Sequence, residues 1–415
     1  MASLKKNIFY SGLLTTANYI FPLITYPYVS RVLGVANIGV CDFVDSIINY
    51  FILLSALGIG IVGIREIAKD KGDKDALQET FSKLFTINTI STTIALVILL
   101  VAMYSVPRLE ENYELMWVGV LKLVFNYLLI EWFFKGLEDF KFVTNRAIIV
   151  RIIYVAAVFT FIKDTSDVVI YYLLTSLTIA INAVINIIYA RKYVKFRFCF
   201  SSLQDYTKSL CILGVYSVLT SFYTTFNVAF LGFVTTDVQV GYYTTSTKIF
   251  VIISMAFKAV TGVLMPRMAS ILAQKRYDEY ERLIKKSVLI LFVFATPCVI
   301  VIEFLAPFII KIIAGQGYEG AILLLRIIAP LVLIIGIEQI LITQSLMPMG
   351  KDNAVLINSI WGASVGLLAN IILVPNLESV GSAIVWVISE IVVMISAFVF
   401  FSKEWRKIKK GLLYL

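Results

Sequence analysis

Apolar stretches of about 20 residues, the length a helix needs to cross a bilayer, recur about twelve times along this chain. They predict helices at 7–32, 40–64, 82–104, 114–136, 145–162, 168–190, 208–233, 239–264, 287–311, 320–345, 354–375 and 380–401. The polar segments between them are too short for an inserted globular domain; the longest lie around 65–83, 191–208 and 265–286. Within the last, RMASILAQKRYDEYERLIKK mixes charge with helical periodicity and reads as an amphipathic helix along the membrane surface. The predicted fold class is an all-α integral membrane protein.

The basic residues sort by side. One alternating set of polar segments holds 28 of the 36 Lys and Arg residues: Lys5 and Lys6, five from Arg65 to Lys83, four from Lys135 to Arg151, five from Arg191 to Lys208, six from Arg267 to Lys286, Lys351, and five from Lys403 to Lys410. The other set holds Arg31, Arg108, Lys163 and Lys311. Cations gather on the cytoplasmic side, so both termini are expected there. The net charge of +9 is then topological. It does not point to nucleic acid, which would call for a basic face on a soluble domain; membrane lipid headgroups are the compatible partner. Lys5 and Lys6 precede an apolar run broken by Ser11, Thr15, Asn18 and Pro22, without an A-x-A site, which reads as a first span rather than a signal peptide.

The chain also repeats. An offset of 202 pairs Lys6 with Lys208, Thr15 with Ser217, Asn18 with Thr220, Thr25 with Asn227, Gly39 with Gly241, Arg65 with Arg267 and Lys83 with Lys285. The expectation is two pseudo-symmetric six-helix lobes, 1–200 and 201–415, joined by the basic segment near 191–207. Six spans return the chain to its starting side, so the lobes should be parallel repeats about an axis along the membrane normal, an arrangement that supports alternating access.

Polar residues interrupt the apolar stretches in a pattern. Ser11, Thr15, Asn18 and Thr25 share one face of the first predicted helix, and Ser217, Thr220, Ser221, Thr224 and Asn227 share one face of the seventh. Such stripes can bond helix to helix or line a hydrated cavity. Their recurrence at repeat-equivalent positions favours the cavity. Pro22 and Pro27 each remove a backbone donor and mark a hinge or a fixed bend in the first helix.

Charges inside spans are costly and usually face a bundle interior. Lys248 lies near the middle of the eighth predicted helix; Lys122 and Arg326 lie at similar depth in the fourth and tenth, and Arg31 ends the first. Asp42, Asp45 and Asn49 form one face of the second helix, the repeat partner of the eighth, so Asp45 can stand opposite Lys248. Glu303 and Glu390 are also deep. Each charge has a plainer reading as a structural ion pair or a side chain reaching the interface. That plainer reading comes first for Lys258 and Glu131, which lie close to the cytoplasmic surface.

Several chemistries are missing. The chain has no His, and its four Cys are scattered among apolar residues without CxxC spacing. No metal-spaced cluster occurs, nor a P-loop, G-x-S-x-G or H-E-x-x-H motif, and no catalytic residue or cofactor is assigned. Gly58, Gly60 and Gly63 match G-x-G-x-x-G, but inside an apolar helix rather than after a strand, which excludes the dinucleotide reading in favour of close packing or local flexibility.

Residues 26–77 carry Arg31-Val32-Leu33-Gly34, Gly39, Leu57-Gly58 and Arg65-Glu66, followed by an acidic–basic loop. This stretch resembles the amino-terminal region of Wzx-like O-antigen and polysaccharide repeat-unit flippases, polysaccharide biosynthesis proteins of the multidrug/oligosaccharidyl-lipid/polysaccharide exporter superfamily. Gly241-Tyr242-Tyr243 with Lys248, and Tyr318 with Leu325-Arg326, resemble the family's second half. The resemblance implies a flippase in the bacterial cytoplasmic membrane that moves an undecaprenyl-pyrophosphate-type lipid-linked oligosaccharide from the inner to the outer leaflet. A polysaccharide polymerase and a chain-length regulator are further candidate partners. The substrate-binding candidates are Arg31, Lys122, Lys248, Arg326, Asn18, Thr220 and Asn227. The candidates for H⁺ or Na⁺ coupling are Asp42, Asp45 and Glu390. The alternatives are a multidrug exporter of organic cations in the same superfamily, or a membrane-embedded polymerase or ligase of the same pathway.

Overall fold

The computed structural model describes residues 4–221 and 225–409, without the side chains at 4, 5, 8, 208, 216, 219, 220, 255–263, 265 and 266. The described residues are almost entirely helical, with no strand among them. They divide into two compact units, Met1–Val218 and Leu219–Leu415.

In the first unit, α1 (Leu4–Ala56) is followed by α2 (Ile59–Asp70), α3 (Lys74–Ser105), the short α4 (Pro107–Glu110), α5 (Tyr113–Leu128), α6 (Glu131–Gly136), α7 (Phe140–Phe161) and α8 (Val168–Ala190). The helix α9 (Gln204–Ser221) carries the boundary between the units. The second unit holds α10 (Phe226–Val234), α11 (Asp237–Ala273), α12 (Tyr277–Ile313), α13 (Gly320–Ile328), α14 (Leu331–Leu341) and α15 (Asp352–Lys409).

Among the described residues, eight helical stretches are long and apolar enough to cross a membrane. Two are far longer than the roughly 20 residues a span needs: Phe9–Asp70 has 62 and Asp352–Lys409 has 58. Each is interrupted where the backbone leaves helical geometry, at Gly34 (φ 78°, ψ 169°) in α1 and at Glu378 (φ 49°, ψ −129°) in α15. This pattern is compatible with twelve spans. The departure in α1 falls at Gly34, where a positive φ suits a residue without Cβ, whereas Pro22 and Pro27, the expected hinge positions, lie within continuous helix.

Other boundaries differ from the hydropathy pattern for local reasons. Leu57 and Gly58 both take positive φ and end α1 before α2 begins. The expected surface helix over 267–286 is not a separate element. Its residues complete α11 and begin α12, with Lys275 at φ 57° turning the chain between them. At 37 residues each, these helices are about 55 Å long, more than the ~40–45 Å bilayer, so their charged ends project into water. Within the second unit, Lys409 at the end of α15 pairs with Glu281 near the start of α12 at 2.9 Å, and Glu404 pairs at 3.0 Å with Lys351, just before α15.

The core that positions the site lies in the first unit. Phe81, Phe85, Trp132, Phe133 and Phe134 stack or meet edge to face between α3 and α6, joined by Phe142, Tyr189 and Phe196. Glycines let α2 close on α6: a Cβ on Gly63 would stand 2.6 Å from the Trp132 ring, and one on Gly136 2.7 Å from Ile67. The G-x-G-x-x-G segment thus turns the chain at Gly58 and packs it at Gly63.

Candidate functional site

The site grows from a break in one predicted span. Hydropathy runs unbroken from 114 to 136, yet Ile130 adopts φ 35° and separates α5 from α6. The Leu129 carbonyl released there accepts from Asn186 Nδ2 on α8. Buried backbone acceptors must be satisfied in a bilayer, so Asn186 makes the break tolerable. The break sets Glu131 at the first position of α6.

Next in the chain, the Asp139 side chain accepts from the Phe142 amide at 3.2 Å and starts α7 at Phe140 rather than at 145. This cap carries Arg146 and Arg151 into the helix. Although counted with the polar-segment cations, both lie well inside the helix, and Arg151 is the twelfth of 22 residues in α7.

These residues converge. Glu131 Oε1 accepts from Arg146 Nη2 at 2.7 Å, and Glu131 Oε2 pairs with Lys135 Nζ at 3.0 Å. Arg146 Nη1 reaches the Asn182 carbonyl at 3.4 Å, and Arg151 Nη2 donates to Asn18 Oδ1. Arg146 Nε, Arg151 Nη1 and Asn182 Oδ1 are buried without a partner. Around them is a cavity of about 220 Å³ that adds Leu14, Leu129, Ala147, Thr178 and Ile179 to its walls. A neighbouring cavity of about 180 Å³ shares Leu129, Glu131 and Lys135 and is otherwise uncharged, with Ser55, Asn88, Asn126, Tyr127 and Trp132 in its wall. Both are far larger than the ~10–15 Å³ a single water requires. Glu131 is thus an ion-pair partner rather than a side chain reaching for the interface.

A second cluster is electrically balanced. Lys122 Nζ on α5 donates to Asp45 Oδ1 and lies 3.4 Å from Asn49 Oδ1. Asn49 Nδ2 donates to Asp45 Oδ2 at 2.9 Å, and the Tyr172 hydroxyl donates to Asp45 Oδ1 at 3.1 Å. Sequence reasoning set Asp45 opposite Lys248; the structure gives its carboxylate Lys122, Asn49 and Tyr172, all in the first unit. Close approach at Gly119 permits this: a Cβ there would meet Ile48 Cγ1 at 2.4 Å.

The other sequence candidates fall in several settings. Arg31 is exposed and its Nη1 donates to the Pro27 carbonyl. Asp42 is half-buried on α1. Lys248 is half-buried on α11, eleven residues after Asp237. Arg326 Nε donates to the Glu303 carbonyl at 2.9 Å. Glu390 is buried and accepts from Trp386 Nε1 at 3.0 Å. Asn227 is fully buried, donating to the Tyr243 hydroxyl at 3.3 Å and accepting from Asn370 at 2.7 Å, a clasp joining α10, α11 and α15. The side chains of Thr220 and Lys258 lie outside the described residues. In the first stripe, Thr15 and Thr25 bond carbonyls of their own helix, and Asn18 crosses to another.

Arg146, Arg151 and Asn182 were not singled out as site residues from sequence, and sequence alone reads Glu131 as a side chain reaching the interface. The signal that could have found the two arginines is the cap at Asp139, three residues before the Phe142 amide it binds. Starting the helix at Phe140 rather than 145 sets both cations deeper in it.

Comparison with known proteins places the chain. Residues 4–272 match the family model described as "Polysaccharide biosynthesis protein". The chain belongs to that family. It is 27% identical over 344 residues to a "Putative O-antigen transporter" of Escherichia coli K12, a match spanning 81% of this chain and 82% of that one. A Shigella dysenteriae protein of the same name is 24% identical over 398 residues, spanning 94% and 98%. Among solved structures, a multidrug resistance MATE family transporter of the MOP superfamily, in an inward-facing conformation, superposes with TM-score 0.75 at 17% identity, covering 94% of this chain and 95% of that one. The lipid II flippase MurJ, in an inward closed conformation, superposes with TM-score 0.74 at 15% identity, covering 97% and 90%. The structural likenesses speak to the fold, that of a multi-pass membrane transporter. These named relatives are transporters and flippases rather than enzymes.

Proposed function

We propose that the protein is a flippase that carries a polyprenyl-pyrophosphate-linked oligosaccharide repeat unit from the inner to the outer leaflet of the bacterial cytoplasmic membrane by alternating access, with both termini in the cytoplasm. The observation that carries this reading is a membership of the polysaccharide biosynthesis family combined with unneutralised cations inside the helical bundle. Cations held in a span are unfavourable without a ligand or counter-ion. Lys122 has its counter-ion in Asp45, but Arg146 and Arg151 outnumber theirs. An anionic headgroup is the complementary cargo. The flippase need only replace the hydration that a polar head loses in hydrocarbon while the lipid tail stays in the bilayer. In the second unit, Lys248 is the proposed cation for the phosphate. Its compact ammonium suits a group that must later be released.

The test reconstitutes the protein in liposomes and measures the appearance of a labelled lipid-linked oligosaccharide in the opposite leaflet. Wild-type protein is expected to move it without altering the glycan. Lys248→Ala is expected to abolish movement, and Lys248→Arg to keep part of it. Transport of a cationic dye but of no lipid-linked sugar would transfer the reading to a multidrug exporter. A changed glycan would make the protein an enzyme. Imposing a proton or sodium gradient in the same vesicles identifies the coupling ion.

A further inference from the structure

We propose that the two adjoining chambers of the first unit form one binding site for the head of a phospho-sugar lipid. The chamber lined by the two arginines takes the pyrophosphate, and its neighbour, uncharged apart from the shared Glu131 and Lys135, takes the first sugar. The identity of the lipid rests on the flippase reading above; the chemistry of the site rests on its own geometry.

The charge matches. Lys135, Arg146 and Arg151 give three cations and Glu131 one carboxylate, leaving +2 around the larger chamber. A pyrophosphate diester brings roughly two negative charges, and guanidinium groups bind phosphate oxygens through paired, directional donors. The donors are present and unused. Arg146 is buried, and its Nε has no acceptor; neither has Arg151 Nη1. A buried N–H without a partner is costly, so these two atoms select a ligand rich in acceptors. Glu131 holds the Arg146 guanidinium in place, as two of its nitrogens are bound to Glu131 and the Asn182 carbonyl. The third nitrogen is left for the ligand.

The neighbouring chamber suits a sugar. It contains two amides, Asn88 and Asn126, whose side chains make no hydrogen bond among the described residues. Each amide offers two donors and an acceptor, the complement of a pyranose hydroxyl pair. Trp132 Nε1 is a further buried donor without a partner, and Tyr127 adds an aromatic face. The chambers meet at Leu129, Glu131 and Lys135, where the chain breaks between α5 and α6. A sugar attached directly to the pyrophosphate would cross that junction.

The experiment measures binding in nanodiscs of zwitterionic lipid with two radiolabelled probes: undecaprenyl pyrophosphate, and the same lipid bearing one monosaccharide. Arg151→Gln, which can keep the Asn18 bond, is expected to weaken both probes about tenfold or more. Arg151→Lys should retain most of the affinity. The paired variant Glu131→Gln/Arg146→Gln, which avoids a lone buried charge, should weaken both probes if either single variant fails to fold. Asn126→Leu should weaken the sugar-bearing probe and leave the sugarless one unchanged. Inorganic pyrophosphate should compete for the wild-type site. Unchanged affinity of Arg151→Gln and of the paired variant would overturn the proposal, and so would equal competition by phosphatidylglycerol, which would make this a structural lipid site. If the variants lose binding but wild-type vesicles move no lipid-linked sugar, the site stands and the flippase reading falls. If wild type and Arg151→Gln bind and transport alike, the flippase reading stands and the site falls.

Discussion

Arg146 Nη2 donates to Glu131 Oε1 at 2.7 Å, joining α7 to the first residue of α6 across a break in the preceding span. The side chains are 3% and 27% exposed, so water can compensate little if one partner is removed. Glu131→Leu leaves a buried guanidinium unpaired and is expected to cost about 3 kcal/mol. Glu131→Gln/Arg146→Gln should cost less than the single substitution. Thermal unfolding of the purified variants in detergent checks the order; equal losses would show that the pair contributes little.

The Asp45–Lys122 pair is balanced, and a balanced pair is expected to hold α1 to α5 rather than to meet cargo. Asp45→Leu should destabilise the first unit by about 3 kcal/mol by stranding Lys122. Asp45→Asn/Lys122→Met should recover most of that stability and retain lipid transport in vesicles. A double variant that folds but does not transport would give the pair a role in the transport cycle.

Gly119 is a packing requirement. Its Cβ would stand 2.4 Å from Ile48 Cγ1 and 2.5 Å from Cδ1. Gly119→Ala should destabilise by about 1–3 kcal/mol, the usual cost of overpacking. Ile48→Ala in the same chain should restore part of it, as read from melting temperatures of the single and double variants.

Topology is accessible to labelling. After replacement of Cys41, Cys199, Cys211 and Cys298, a cysteine at Lys275 should react with an impermeant reagent only from the cytoplasmic side. One at Ser166, in the exposed turn between α7 and α8, should react only from outside. The reverse pattern would invert the assigned orientation.

By itself, the sequence determined that this is an all-helical membrane protein and where its apolar stretches fall. The apolar length that hydrocarbon demands and the one-sided placement of Lys and Arg are properties of composition along the chain, readable without tertiary contacts. It also placed Lys122, Lys248 and Arg326 inside apolar stretches. What only the tertiary structure decided is which charges are cancelled. Lys122 meets Asp45 because Gly119 lets α5 approach Ile48 on α1. Asn227 is consumed by Asn370 and Tyr243, whereas Asn18 reaches Arg151 in a cavity, although both belong to matching polar stripes. Hydropathy averages over a window of residues and cannot register a single backbone departure. The turn at Ile130 and the cap at Asp139 therefore left no mark on it, yet they bring Glu131, Arg146 and Arg151 together. Pairing depends on side-chain distances of a few ångströms between segments far apart in the chain, and only the packed helices set those.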